Sequence, residues 1–258
     1  MKKIFTLICG VVLAAHCSQV SAQDAKVEMW KDGSVAFSYG PTEADSVTFG
    51  YEYESPEENV YLVNGHRFID LGLPSGTLWA ETNIGAEGVA DDGEYFAWGE
   101  TEVQSDGTYL WESYRFGSST LSKYNRTDNK VNLDREDDAA SAVWGAPCQT
   151  PSNNDINELL NSNNCTWKWS SKTSSTLKSV RGYLVTSKKN GMSIFFPALG
   201  YRYNSKTNYK GSYGSYWSRT LDAVGSYNSF YLGFGSTSYG LSSGSRCDGH
   251  TIRPVARH

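Results

Sequence analysis

Tyr209, Tyr213, Tyr216, Tyr227, Asn228, Tyr231, Tyr239, Arg246, Asp248 and His250 fall close together near the C-terminus, and their types suit noncovalent grip rather than bond-making. Residues 200–249 contain eleven Ser, nine Gly, three Asn and eight of the seventeen Tyr, a mixture that core strands do not require. Tyrosine offers a large amphipathic contact area on few rotors. Serine and asparagine adapt their hydrogen bonds, and glycine keeps loops open. One such tyrosine is as readily a solvated loop residue, but eight interleaved with glycine predict a binding face. The partners expected for those ten residues are a carbohydrate, a peptide or a surface protein. Trp217, Phe230, Leu232, Phe234, Ile252 and Val255 occupy alternating apolar positions and are expected in the core.

Signals for covalent chemistry are weaker. Residues 240–244 match G-x-S-x-G, but a nucleophile elbow needs a strand before the serine and a helix after it, and Ser and Gly flank this match on both sides. His66 and His250 have no partner that spacing can name. The acidic runs at 91–94 and 134–138 offer carboxylate oxygens for calcium without an EF-hand spacing, and the second also reads as charge at a helix start. No cofactor is expected, calcium being the one ion the carboxylates suggest. Two alternatives to a binding module stand beside it. One is an exported hydrolase using Asp91, Glu94 or Glu100, which requires a deep pocket and a carboxyl with a raised pKa. The other is a structural subunit of the cell envelope.

The elements that must hold these residues are mostly strands. Residues 23–54 alternate with period two (Val27, Met29; Val35, Phe37, Tyr39; Val47, Phe49), with Asp32-Gly33 as a tight turn, and predict a small β-strand unit of two or three strands. Residues 55–59 read as a polar linker, and 60–258 as the main domain. Two short helices are expected. In the first, Asp137 and Asp138 are expected in the first turn and Ala140, Val143 and Trp144 on one face, closed by Gly145. In the second, Ser152 caps with Asp155 three residues on, ahead of Ile156, Leu159 and Leu160. Strand-like runs follow at 182–187, 193–196, 229–234 and 251–255. The predicted class is α+β, helices first and strands last, around an antiparallel sheet.

The first residues place Lys2 and Lys3 before an apolar run and end on Val20-Ser21-Ala22, the pattern of a secretory signal peptide at 1–22. Export to the periplasm, cell surface or exterior is expected, without membrane insertion. Loss of those two lysines takes the formal charge from −5 to about −7, which disfavours nucleic acid as a partner. Cys148, Cys165 and Cys247 remain after the leader. At most one disulfide can then form, Cys148 and Cys165 being the nearer pair in sequence.

The blocks "FIDLGLPSGTLWAETNIGA", "GEYFAWGET", "DDAASAVWGAPCQTPSNNDINELL", "SIFFPALGYR", "GSYGSYWSRT" and "GHTIRPV" occur in order between about residue 60 and residue 257. In them the chain resembles the Fibrobacter succinogenes major paralogous domain family of Bacteroidetes secreted proteins. "WKDGSVAF" and "ADSVTF" resemble a short strand unit often found ahead of such domains. The resemblance implies a C-type-lectin-like fold related to the formylglycine-generating enzymes, with a ligand-facing surface near the C-terminus. Pro147-Cys148-Gln149 departs from the tryptophan-arginine pair usual in the family. The related enzymes use two nearby C-terminal cysteines where this chain has only Cys247, so that activity is not expected. Some similar proteins are diversified by retroelements that randomise codons at adenines, which leaves such a mixture of Tyr, Ser, Asn, Gly, Asp, Arg and Cys. On that resemblance Cys247 is a sampled residue rather than a structural one.

Overall fold

The computed structural model describes the strands Val27–Lys31 and Ser34–Tyr39 and residues 54–257 apart from 118, 126, 223 and 226; for the strands up to residue 57 only the backbone is described. The expected leader and the run containing Val47 and Phe49 lie outside the described residues. The chain divides into two compact units, Met1–Tyr53 and Glu54–His258. In the first, β1 (Val27–Lys31) and β2 (Ser34–Tyr39) pair antiparallel, with a register shift after Met29.

The second unit begins with β3 (Glu54–Glu57), β4 (Val60–Val63), β5 (His66–Asp70) and β6 (Leu78–Ala80). The helices α1 (Ala139–Trp144) and α2 (Asn153–Leu160) follow. Then come β7 (Cys165–Thr173), β8 (Ser179–Ser187), β9 (Ser193–Pro197), β10 (Tyr201–Tyr203) and β11 (Lys206–Asn208). The chain closes with β12 (Tyr213–Leu221), β13 (Asn228–Gly235), β14 (Ser238–Ser245) and β15 (Val255–Ala256). A five-stranded sheet runs in the order β15-β6-β5-β4-β3, beside three-stranded sheets β7-β8-β9 and β12-β13-β14, and every strand pair is antiparallel.

Both helices form where local chemistry specifies them. Asp138 caps α1, its carboxylate accepting from Ala140 N and Ser141 N, and Gly145 ends it at φ 76°, a left-handed conformation that favours glycine. Ser152 and Asp155 form a reciprocal capping box on α2, which buries Ile156 and Leu159. These two join Val60, Ile69 and Trp79 of the five-stranded sheet, Val185 and Phe196 of the second sheet, and Tyr216, Leu232 and Phe234 of the third in one continuous core.

Several expectations change. Residues 55–59 are not a linker: Glu54–Glu57 pairs with β4, and Glu58 and Asn59 make the turn, Asn59 at φ 63°. Helices do not precede all the strands of the main domain, because β3 to β6 come first and receive β15, Val255 opposite Trp79. Within 251–255, only Val255 belongs to a strand. Val143 and Phe230 also sit less deep than expected, Val143 exposed and Phe230 half-buried. Cys148, Cys165 and Cys247 are all free and buried, so the 148–165 pairing is not made.

Candidate ligand-binding cleft

The register of the third sheet sorts the C-terminal tyrosines. Residues directly opposite in an antiparallel sheet share a face, and successive residues alternate faces. Trp217, Tyr231 and Ser242 stand opposite one another across β12, β13 and β14, as do Tyr216, Leu232 and Leu241. The first set, with Tyr213, Ser215, Gly233 and Gly244, therefore covers one face. The second set, with Phe234 and Tyr239, covers the other, which is the core face. Gly244 lets Tyr231 pack close: a Cβ there would lie 3.0 Å from the tyrosine ring, which would have to shift.

On the opposite face, where Trp217 and Ser215 are themselves buried, a cleft of about 490 Å³ is lined by Tyr201, Tyr209, Ser212, Tyr213, Tyr231, Gly244, Asp248 and His250. Tyr213 donates a hydrogen bond to Tyr231 Oη at 3.3 Å. Tyr231 meets the His250 ring edge-on at 4.7 Å; Tyr201 lies 5.8 Å from the same ring and 6.0 Å from the ring of Tyr209. Burial raises the Tyr213 and Tyr201 phenols, Tyr201 also through the nearby Asp248 charge. Burial likewise lifts Asp248 to about 6. His250 is pushed down to about 3 by burial, so its ring is neutral. Its Nδ1 is 2.6 Å from Ser215 Oγ, and Ser215 is fully buried, so this contact orients the ring and presents no attacking hydroxyl to the cleft.

The cleft thus brings together Tyr209, Tyr213, Tyr231, Asp248 and His250 of the ten residues expected to touch a ligand. Tyr216 does not join them. It is buried on the core face, donating to Pro197 O at 2.6 Å. Arg246 is fully buried too: its guanidinium lies 4.7 Å over the Trp98 ring and donates to Tyr114 Oη and Tyr124 O at 2.9 and 3.0 Å. It anchors the end of the sheet to the segment 114–124 rather than meeting ligand. Tyr227 and Tyr239 are exposed but stand elsewhere. Tyr227 donates to Ser119 O at 2.9 Å beside Trp111, while Tyr239 stacks on Trp167 at 4.6 Å. Asn228 opens β13 opposite Ser245, outside the cleft lining. Cys247 is buried, with its Sγ 3.3 Å from Ser245 Oγ.

Sequence reasoning missed Tyr201, Ser212 and Gly244. Tyr201 and Ser212 belong to the strand and loop that run up to β12, and recognising β12 from its alternation of Tyr213, Ser215 and Trp217 against Gly214 and Tyr216 was the signal available.

The chemistry-bearing alternatives are placed differently. Residues 240–244 lie wholly within β14, with no helix after Ser242. The carboxylates of Asp134, Glu136 and Asp137 converge, but on Lys123 Nζ, which stands 2.7, 3.1 and 2.5 Å from them. An ammonium already fills the position a cation would take. Asp91 and Asp92 line a second cleft of about 620 Å³, where Asp92 is ion-paired to Lys210. Burial raises Glu100, but it lines neither cleft and accepts from Arg115 N at 2.8 Å and Gln104 Nε2 at 2.5 Å. No helix among the described residues is long and apolar enough to cross a membrane.

A family described as "Domain of unknown function (DUF8237)" matches residues 169–255, a segment that contains every residue of the first cleft. No curated protein and no solved structure matches the chain.

Proposed function

We propose that this chain is an exported or cell-surface-associated binding module that holds its ligand in the tyrosine-lined cleft without turning it over. The observation that carries this reading is the convergence of four tyrosines, Ser212, Asp248 and His250 on one concavity about 490 Å³ in volume, from β10, the 209–212 loop, β12, β13 and the chain after β14. That volume and mixture suit a ligand held by ring contacts and a few placed polar groups. A C-type-lectin-like scaffold, of the kind the resemblance to the Fibrobacter succinogenes major paralogous domain family implies, accords with three features. The unit is built of antiparallel sheets, it carries the short helices α1 and α2, and its last described strand returns to pair with β6 near its start.

The test is retention on arrays of glycans, peptides and bacterial surfaces. Tyr213→Ala with Tyr231→Ala is expected to abolish retention while leaving Tm within a few degrees. Tyr227→Ala with Tyr239→Ala, outside the cleft, is expected to leave retention intact. Equal retention by both double variants overturns the reading.

A further inference from the structure

Phenol rings surround the cleft, Asp248 lines it, and among the described residues no lysine or arginine does. The nearby Arg202 guanidinium lies instead over the Tyr95 and Tyr109 rings, at 5.9 and 5.7 Å. Among the described residues Asp248 makes no ion pair, and the hydrogen bond its carboxylate receives is a long one from the Cys247 thiol, 3.8 Å from Oδ1. Asp248 is half-buried, and a carboxylate drawn partly out of water carries a cost that a nearby positive charge relieves. His250, which also lines the cleft, is buried with Nδ1 against Ser215 Oγ, and its neutral ring supplies no counter-charge.

These groups discriminate between ligand classes. An anion would meet Asp248 and find no cation. A neutral ligand would leave the carboxylate's charge unbalanced. A cation gains from both the carboxylate and the negative faces of the aromatic rings, an attraction that strengthens when water is excluded. We propose that the cleft binds an organic ammonium group, with Asp248 as its counter-charge and Tyr201, Tyr209, Tyr213 and Tyr231 as its aromatic walls. This deepens the binding reading above and rests on it. A quaternary head group and a primary amine share this chemistry, and separate arms of the test tell them apart.

The whole chain is titrated by ¹H–¹⁵N NMR with choline, with N-acetyl-lysine methylamide, and with 3,3-dimethylbutan-1-ol, the uncharged carbon analogue of choline. One or both cations are expected to shift the resonances of Tyr201, Tyr213, Tyr231 and Asp248, and to bind about ten-fold or more tightly than the neutral alcohol. Asp248→Asn, its fold checked by unchanged dispersion of the core resonances, is expected to erase that preference. Tyr209→Ala, at an exposed position, is expected to weaken the cations several-fold. Equal binding of choline and its neutral analogue, an unchanged preference in Asp248→Asn, or no cleft shifts with either cation overturns the ammonium assignment. Array retention that still depends on Tyr213 and Tyr231 would in that case leave the binding reading standing, while loss of that dependence defeats the binding reading itself.

Discussion

The imidazole of His250 lies flat on the indole of Trp217, 3.8 Å between ring centroids and 9° from parallel, while Trp217 Nε1 donates to Phe96 O at 2.7 Å. This stack forms part of the cleft's rigid support and keeps the imidazole out of bulk water. Its protonation is disfavoured by that burial, which lowers its pKa to about 3.

His250 is therefore expected to stay neutral across physiological pH. Its ring-proton shifts in an NMR titration should remain constant from pH 8 to pH 5. The unfolded chain protonates this residue near 6.5 and the folded chain near 3, so the unfolded state binds the extra proton in between. Stability is full above about pH 6.5 and falls by up to about 1.4 kcal/mol per pH unit as pH drops toward 3. A midpoint shift of imidazole resonances near 6.5 would contradict this.

Asp248 works in the opposite direction. Burial raises its carboxyl from 3.8 to about 6, and the titratable side chains around it are the Cys247 thiol, the cleft tyrosines and neutral His250. Between those two pH values the folded state holds the proton more tightly, so this residue's contribution to stability declines as pH rises from about 4 to about 6. Asp248→Asn should raise stability at pH 7.5 by about 2 kcal/mol and leave it nearly unchanged at pH 4. Denaturant melts at the two pH values check this, and a variant less stable at pH 7.5 refutes it.

Tyr216 and Tyr209 should separate stability from recognition. Tyr216→Phe removes the hydroxyl that satisfies Pro197 O in the core and is expected to cost about 1–2 kcal/mol. Ligand retention should be unaffected. Tyr209→Ala, at a side chain 66 % exposed, should leave Tm unchanged while reducing retention. Thermal melts paired with array retention read both outcomes.

Lys123 should be the cation that its acidic cluster requires. Lys123→Met leaves Asp134, Glu136 and the buried Asp137 without their shared ammonium, although Asp137 keeps Arg115 at 3.1 Å and Asp134 keeps Lys130 at 2.5 Å. A loss of about 2–3 kcal/mol is expected, since a buried carboxylate is left poorly compensated. The Lys123 contact holds the Asp134 carboxyl below its usual range, so that contribution is present above about pH 4 and fades at lower pH. Adding a chelator to the unaltered protein should leave Tm where it was; a chelator-sensitive Tm would show that a metal occupies the cluster after all.

Much of the local structure was legible in the residues. The Ser152/Asp155 box specifies its helix because a cap needs only its own turn, whereas Asp137 and Asp138, expected inside the first turn of α1, lie before it, with Asp138 as its cap. The alternation of Phe230, Leu232 and Phe234 against Tyr231 marked β13 and put Tyr231 on the face away from the core. Less legible was β14, whose "SYGLSSGS" has little strand propensity and is held by eight residues of register with β13. The linker reading of 55–59 failed for a similar reason: Pro56 and the acidic residues look like loop, but pairing with β4 makes part of them a strand.

By itself the sequence determined that tyrosine, serine and glycine would crowd one C-terminal segment, that Ser152 caps the second helix, and which apolar residues alternate. Only the tertiary structure decided that Tyr213 and Tyr231 open on the cleft while Tyr216 turns into the core, that Arg246 is an internal anchor, and that Lys123 fills the acidic cluster. The physical reason is that a residue's type states what it can do, whereas its depth and its neighbours depend on strand register and on segments more than a hundred residues away, as between Arg246 and Tyr114.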